Sequence, residues 1–125
     1  MEGLRKNSTL QVLELTGCFI RPAGCVFVAN MLSANDTLLE LALNDCCIRD
    51  EGLITLVDKG LADNSRLERL ELCGNGLTGT RMGAEGKSGF QRLCGWLKEP
   101  DCALRTLSLS RNRLGFGVRE HFRAL

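Results

Sequence analysis

The sequence has one histidine, no excess of charge of either sign and no long apolar run, and each scarcity removes a class of function. His121 is the lone histidine, and no two of the seven cysteines stand at zinc-finger spacing, so ligands for a metal site are lacking. Sixteen basic and fifteen acidic side chains leave a net charge of +1. A protein that binds nucleic acid by neutralising phosphates needs a basic surplus, so nucleic acid is not an expected partner. The longest apolar run, Cys25 to Ala29, is five residues, far short of a membrane-crossing helix, and no membrane partner is expected. The opening Met1-Glu-Gly-Leu-Arg-Lys has no apolar centre of the kind a secretory signal requires. No cofactor is implied.

What the chain has is repetition. Leu38-Leu-Glu-Leu-Ala-Leu-Asn-Asp-Cys-Cys-Ile48 alternates Leu41 and Leu43 with Glu40 and Ala42, the period of a strand with one buried side. Beyond Asp50 the period changes, and Leu53, Leu56, Val57 and Leu61 fall along one side of a helix. The same eleven-residue pattern, L-x-x-L-x-L-x-x-[NC]-x-[LI], begins at Leu10, Leu38, Leu67 and Leu104 without a miss. A strand and a helix of this length cannot bury their apolar sides alone. Copies on either flank are needed, and the chain supplies them.

This pattern resembles the leucine-rich repeat family. Steps of 28 and 29 residues, with Cys or Asn at the ninth place, are similar to its ribonuclease-inhibitor-like subclass. The resemblance implies an α/β fold: a leucine-rich repeat solenoid, a fragment of a right-handed horseshoe with a parallel four-strand concave sheet and helices on the convex side. It also implies one domain over residues 1–125, with repeats at about 7–34, 35–63, 64–101 and 102–125. The third step is 37 residues, and the surplus falls in a glycine-rich segment, 78–89, expected to be a mobile loop.

Smaller signals fill in the repeats. Arg21-Pro22 suits a helix start, Asp50-Glu51 places acids where a helix N-terminus favours them, and Val28, Met31 and Leu32 make an apolar side. A second helical pattern runs through Phe90, Leu93, Cys94 and Leu97, with Trp96 expected in or beside the core. Asn7, Asn35 and Asn64 recur three residues before a leading leucine, with Asp101 in the fourth repeat, and asparagine there is expected to end a helix in the left-handed conformation. Cys18 and Cys46, at the ninth place, are expected to be buried thiols, and the odd cysteine count favours a reducing, cytoplasmic compartment without disulfides.

In a stack of such strands, alternate places project from the concave side. They read Val12, Glu14, Thr16, Gly17; Glu40, Ala42, Asn44, Asp45; Arg69, Glu71, Cys73, Gly74; and Thr106, Ser108, Ser110, Arg111. Members of the family bind proteins on this side. The resemblance therefore implies a non-catalytic protein–protein interaction scaffold in a larger intracellular assembly. The partner-binding residues would be Glu14, Thr16, Glu40, Asn44, Asp45, Arg69, Glu71, Cys73, Ser108, Ser110 and Arg111. Two other functions are open within the family: a GTPase-activating module resembling the Ran activators, with Arg111 or Arg113 inserted into a partner, and a structural component of a cilium or cytoskeleton.

Catalytic patterns fall short. Gly86-Lys87-Ser88 has the end of a phosphate-binding loop, but Arg81 stands where the first glycine belongs. Cys73 is expected to present an accessible thiol, yet His121 lies on the last helix and supplies no base to it. At the ends, Leu4 to Asn7 reads as the tail of a helix whose front half is absent, and Val118, Phe122 and Leu125 close the chain without a polar cap. Self-association, or covering of both ends by other subunits, is the expected consequence.

Overall fold

The computed structural model describes residues 2–80 and 86–114. Val118, His121, Phe122 and Leu125 lie outside the described residues. Short strands alternate with helices: α1 (Glu2–Lys6), β1 (Val12–Glu14), α2 (Arg21–Ala34), β2 (Glu40–Ala42), α3 (Arg49–Lys59), a single 3-10 turn (Leu61–Asp63), β3 (Arg69–Glu71), α4 (Gly89–Leu97) and β4 (Thr106–Ser108). The strands form one parallel sheet in the order β1-β2-β3-β4, so every connection crosses over through the helical side.

The register follows the repeat. Leu13, Leu41, Leu70 and Leu107 pair in succession across the four strands. All four are the fourth residue of their repeat, which stacks the leucines into one row facing the core. Leu41, Leu43, Leu70 and Leu72 are at most 1% exposed. Helix residues Val28, Met31, Leu32, Leu53, Leu56, Phe90, Leu93 and Trp96 close the core from the other side.

Three-residue strands supply few ladder bonds, and the backbone continues the pairing past them. Leu39 and Glu40 both donate to the Gln11 carbonyl, and Glu68 and Arg69 to that of Leu39. After each strand the eighth-place N–H donates to the seventh-place carbonyl of the next repeat: Gly17 to Asn44, Asp45 to Cys73, and Gly74 to Ser110. The eighth place has positive φ in all four repeats, at Gly17, Asp45, Gly74 and Arg111. Glycine takes this conformation freely, whereas Asp45 and Arg111 hold it against their side chains.

Asparagines join the repeats at two levels. Before the strands, the Asn64 amide donates to the Leu32 and Asn35 carbonyls at 2.8 and 3.2 Å, and its oxygen accepts from Arg66 and Leu67 N–H. Asn35 does the same between Leu4, Asn7, Thr37 and Leu38. Both are buried, and both have extended backbone (φ −94° and −114°), which corrects the expected left-handed helix end. One asparagine side chain thus satisfies four backbone groups drawn from successive repeats. Asp101 breaks the series: a carboxylate has no N–H to donate, and the residue is exposed.

After the strands the ninth place does the same work. Asn75 accepts from Cys46 and Ile48 N–H and donates to the Leu43 and Cys73 carbonyls. Cys46 is fully buried, with its thiol against the Leu15 carbonyl at 3.1 Å. Cys18, expected to be buried likewise, is exposed. It belongs to the edge strand's repeat, where no described repeat lies on its outer side. All seven cysteines are free thiols.

Helices α2 and α3 approach closely where glycine permits it. A Cβ on Gly60 would stand 2.8 Å from the Ala29 Cα, and one on Gly52 would meet the Cys25 sulfur and Ile48. The glycine-rich segment differs from expectation at both ends. Thr78 and Gly79 N–H groups bond the buried Asp50 carboxylate, as does the Thr78 hydroxyl. Ser88 and Gly89 are buried, and Ser88 with Gln91 makes a capping box that starts α4. Residues 81–85 lie outside the described residues.

Candidate partner-binding face

The strand side chains that point away from the leucine row do share one open surface. On it Glu14, Glu40, Arg69, Thr16, Ser110 and Arg111 are exposed, while Asn44, Glu71 and Ser108 are half-buried. Cys73 departs from the expected open-face thiol: it is 9% exposed, as is Ala42. Both belong to interior repeats, which have a repeat on each side.

The polar residues are coupled across repeats. Asn44 is the hub: its oxygen accepts from Cys73 N–H at 2.8 Å, and its amide reaches Thr16 at 3.5 Å and Glu71 at 3.3 Å. Glu71 in turn lies 3.6 Å from the Arg69 guanidinium. Separately, Arg111 grips both oxygens of Asp45, at 3.0 and 3.3 Å. These two residues are 66 positions apart and belong to the second and fourth repeats. The third repeat lets them meet because Gly74 lies between; a Cβ there would stand 2.1 Å from the Asp45 oxygen. Gly74 is thus the residue that sequence reasoning undervalued. The signal was present, since the eighth places read Gly, Asp, Gly, Arg in order.

This geometry bears on the rival roles. Arg111 is already committed to Asp45, so its insertion into another protein would first break a bidentate pair. Ser88, the hydroxyl that a phosphate loop would use, accepts from Gln91 N–H as the cap of α4. Among the described residues no group of three or more His, Cys, Asp or Glu could hold a metal ion, and no helix is long and apolar enough to cross a membrane.

Three further surfaces carry chemistry. A cleft of about 400 Å³ between α3 and α4 is lined by Val57, Trp96 and Gly95, with Lys87, Arg92, Asp58, Glu99 and Asp101 around it. Its charges are mixed, and Arg92 pairs with Asp58. A rim cavity of about 350 Å³ includes Arg49 and Arg113. On the outer side of the first repeat, Phe19 and Phe27 are 64% and 62% exposed, and the Arg21 guanidinium lies 4.4 Å from the Phe19 ring centre.

A solenoid of stacked strand–helix repeats, joined by asparagines and carrying a polar concave face, defines a class of protein. The sequence matches models of the Leucine Rich repeat over residues 6–29 and 34–57 and again over 103–125, more than half of the chain. The chain belongs to the leucine-rich repeat family. No curated protein matches it in sequence. Among solved structures, the C-terminal domain of tropomodulin from Caenorhabditis elegans is similar, with a TM-score of 0.74 over 98% of this chain and 71% of that one. Identity is 16%, so the likeness is one of fold. These matches establish the family, whose domains generally mediate protein–protein interaction, and do not distinguish the ribonuclease-inhibitor-like subclass.

Proposed function

We propose that this chain is a non-catalytic protein-recognition module of a larger intracellular, cytoplasmic assembly, and that it binds its partner through the concave face and rim loops. The observation that carries this reading is the cross-repeat network of Thr16, Asn44, Glu71 and Arg69 beside the Asp45–Arg111 pair. Side chains held in this way lose little freedom when a partner arrives, which favours binding. The face is open, so it suits a macromolecular surface better than a small substrate. Glu14, Glu40, Ser108 and Ser110 complete it. The exposed apolar flank of the first repeat, with Phe19 and Phe27, is the surface through which the chain self-associates or takes a covering subunit. A monodisperse monomer at micromolar concentration in sedimentation would contradict that last point.

The test is capture under reducing conditions followed by mass spectrometry of what is retained. Asn44→Ala together with Asp45→Arg should remove the specific partner, and Lys98→Ala on the helical side should not. Equal retention by all three proteins would overturn the reading. Accelerated GTP hydrolysis by a candidate small GTPase, abolished by Arg113→Ala, would favour the activator instead. Identities of the captured proteins decide between a signalling assembly and a structural component of a cilium or cytoskeleton.

A further inference from the structure

Along the eighth places, Asp45, Gly74 and Arg111 form a closed unit in which an acid and a base meet over a glycine. The same construction recurs a few residues further along the chain without its acid. Arg49 of the second repeat and Arg113 of the fourth line the rim cavity of about 350 Å³, and Gly76 of the third lines it between them. A Cβ on Gly76 would stand 4.0 Å from the Arg49 Cγ, so the arginine stem runs beside this glycine. None of the residues lining the cavity is acidic.

Both arginines are exposed, and neither forms an ion pair among the described residues. Of the nearby carboxylates, Asp45 is held by Arg111, and the buried Asp50 at the start of α3 accepts from Thr78 and Gly79 behind the cavity wall. Two backbone donors remain. Cys46 and Ile48 N–H groups bond Asn75, and those of Asn75 and Leu77 bond Asn112. The N–H groups between them, of Cys47 and Gly76, bond no group among the described residues, and both residues line the cavity. Cys47 and Arg49 hold positive φ (55° and 60°) without being glycine, a conformation tolerated at a local energetic cost.

We propose that this cavity anchors a phosphorylated side chain of the protein partner. The proposal rests on the protein-recognition reading above. Two guanidinium groups match the charge of about −1.5 to −2 on a phosphomonoester at pH 7, whereas a carboxylate would leave one cation unmatched. Guanidinium forks present paired N–H groups to phosphate oxygens, and the two free amides add donors without adding charge.

The experiment is an amide NMR titration of the whole chain with four probes: the blocked tripeptides Gly-phosphoserine-Gly, Gly-Ser-Gly and Gly-Glu-Gly, and inorganic phosphate. The phosphopeptide should shift the Cys47 and Gly76 amides saturably. Arg49→Gln with Arg113→Gln should weaken that binding at least tenfold at unchanged melting temperature, and Arg105→Gln should not weaken it. The proposal falls if those amides stay still, if the double variant binds as before, or if the glutamate peptide binds equally well. Equal binding of inorganic phosphate would make this a free-anion site and would also overturn it. A silent cavity alongside loss of capture by the concave-face variants would sink this inference alone and leave the protein-recognition reading standing.

Discussion

Leu41 and Leu70 are each 1% exposed, whereas Leu13 and Leu107, aligned with them in the same sheet, are only half-buried. The pattern is identical in the four repeats, so composition does not account for the difference. Position does. Among the described residues an interior strand has a neighbouring strand on each side, and an edge strand on one. The asparagines and cysteines follow the same rule: Asn35, Asn64 and Cys46 are buried, while Asn7 is half-buried and Cys18 exposed. In a solenoid the worth of a residue is set by its neighbours in the stack as much as by its place in the motif.

Leucine truncation should separate the two regions most widely. Leu41→Ala and Leu70→Ala are each expected to lose about 2–5 kcal/mol in urea unfolding, and Leu13→Ala and Leu107→Ala markedly less. Equal losses in all four would break the comparison. Asparagine comes next. Asn64→Ala strands two N–H groups, one of them buried, and two buried carbonyls and should cost about 1–3 kcal/mol, against well under 1 kcal/mol for Asn7→Ala.

Glycines sharpen the contrast between a packed and an open helix. Gly60→Ala drives a methyl into the Ala29 backbone and should cost about 1–3 kcal/mol. On α4, a Cβ at Gly95 would meet nothing within 4 Å, so Gly95→Ala should stabilise by about 0.5–1 kcal/mol. Paired thermal melts check both.

The thiols extend the comparison to pH. Burial pushes the Cys25 thiol up from 9.0 to about 12, and it raises Cys46 and Cys94 as well. Above pH 9 the unfolded chain sheds protons that the fold retains. Stability is therefore intact below about pH 9 and falls as pH climbs toward 12, by about 1.4 kcal/mol per pH unit for Cys25, with Cys46 and Cys94 adding in the same direction. Urea midpoints at pH 8 and pH 10.5 measure this, and an unchanged midpoint would count against it. Thiol labelling of the folded protein should modify Cys18 long before Cys25.

The smallest expected effect is the Asp45–Arg111 pair. Both side chains are well exposed, so Asp45→Asn should change stability by less than about 1 kcal/mol. Its consequence belongs to partner binding, where the same substitution frees Arg111.

What the sequence alone determined was the periodic part: four strands and their register, helices between them, the leucine row, and the buried places of Met31 and Trp96. Each of these follows from spacing within one repeat, where a period of two or of 3.6 reports which side is covered. Only the tertiary structure decided the relations between repeats. Asp45 meets Arg111 across 66 residues because Gly74 leaves room, Cys73 in an interior repeat is buried, and Cys18 in the first repeat is exposed. Arg49 and Arg113 share a cavity for the same reason. Periodicity fixes what each repeat presents. The stacking, joined by backbone bonds and asparagine amides from one repeat to the next, decides which of those groups touch.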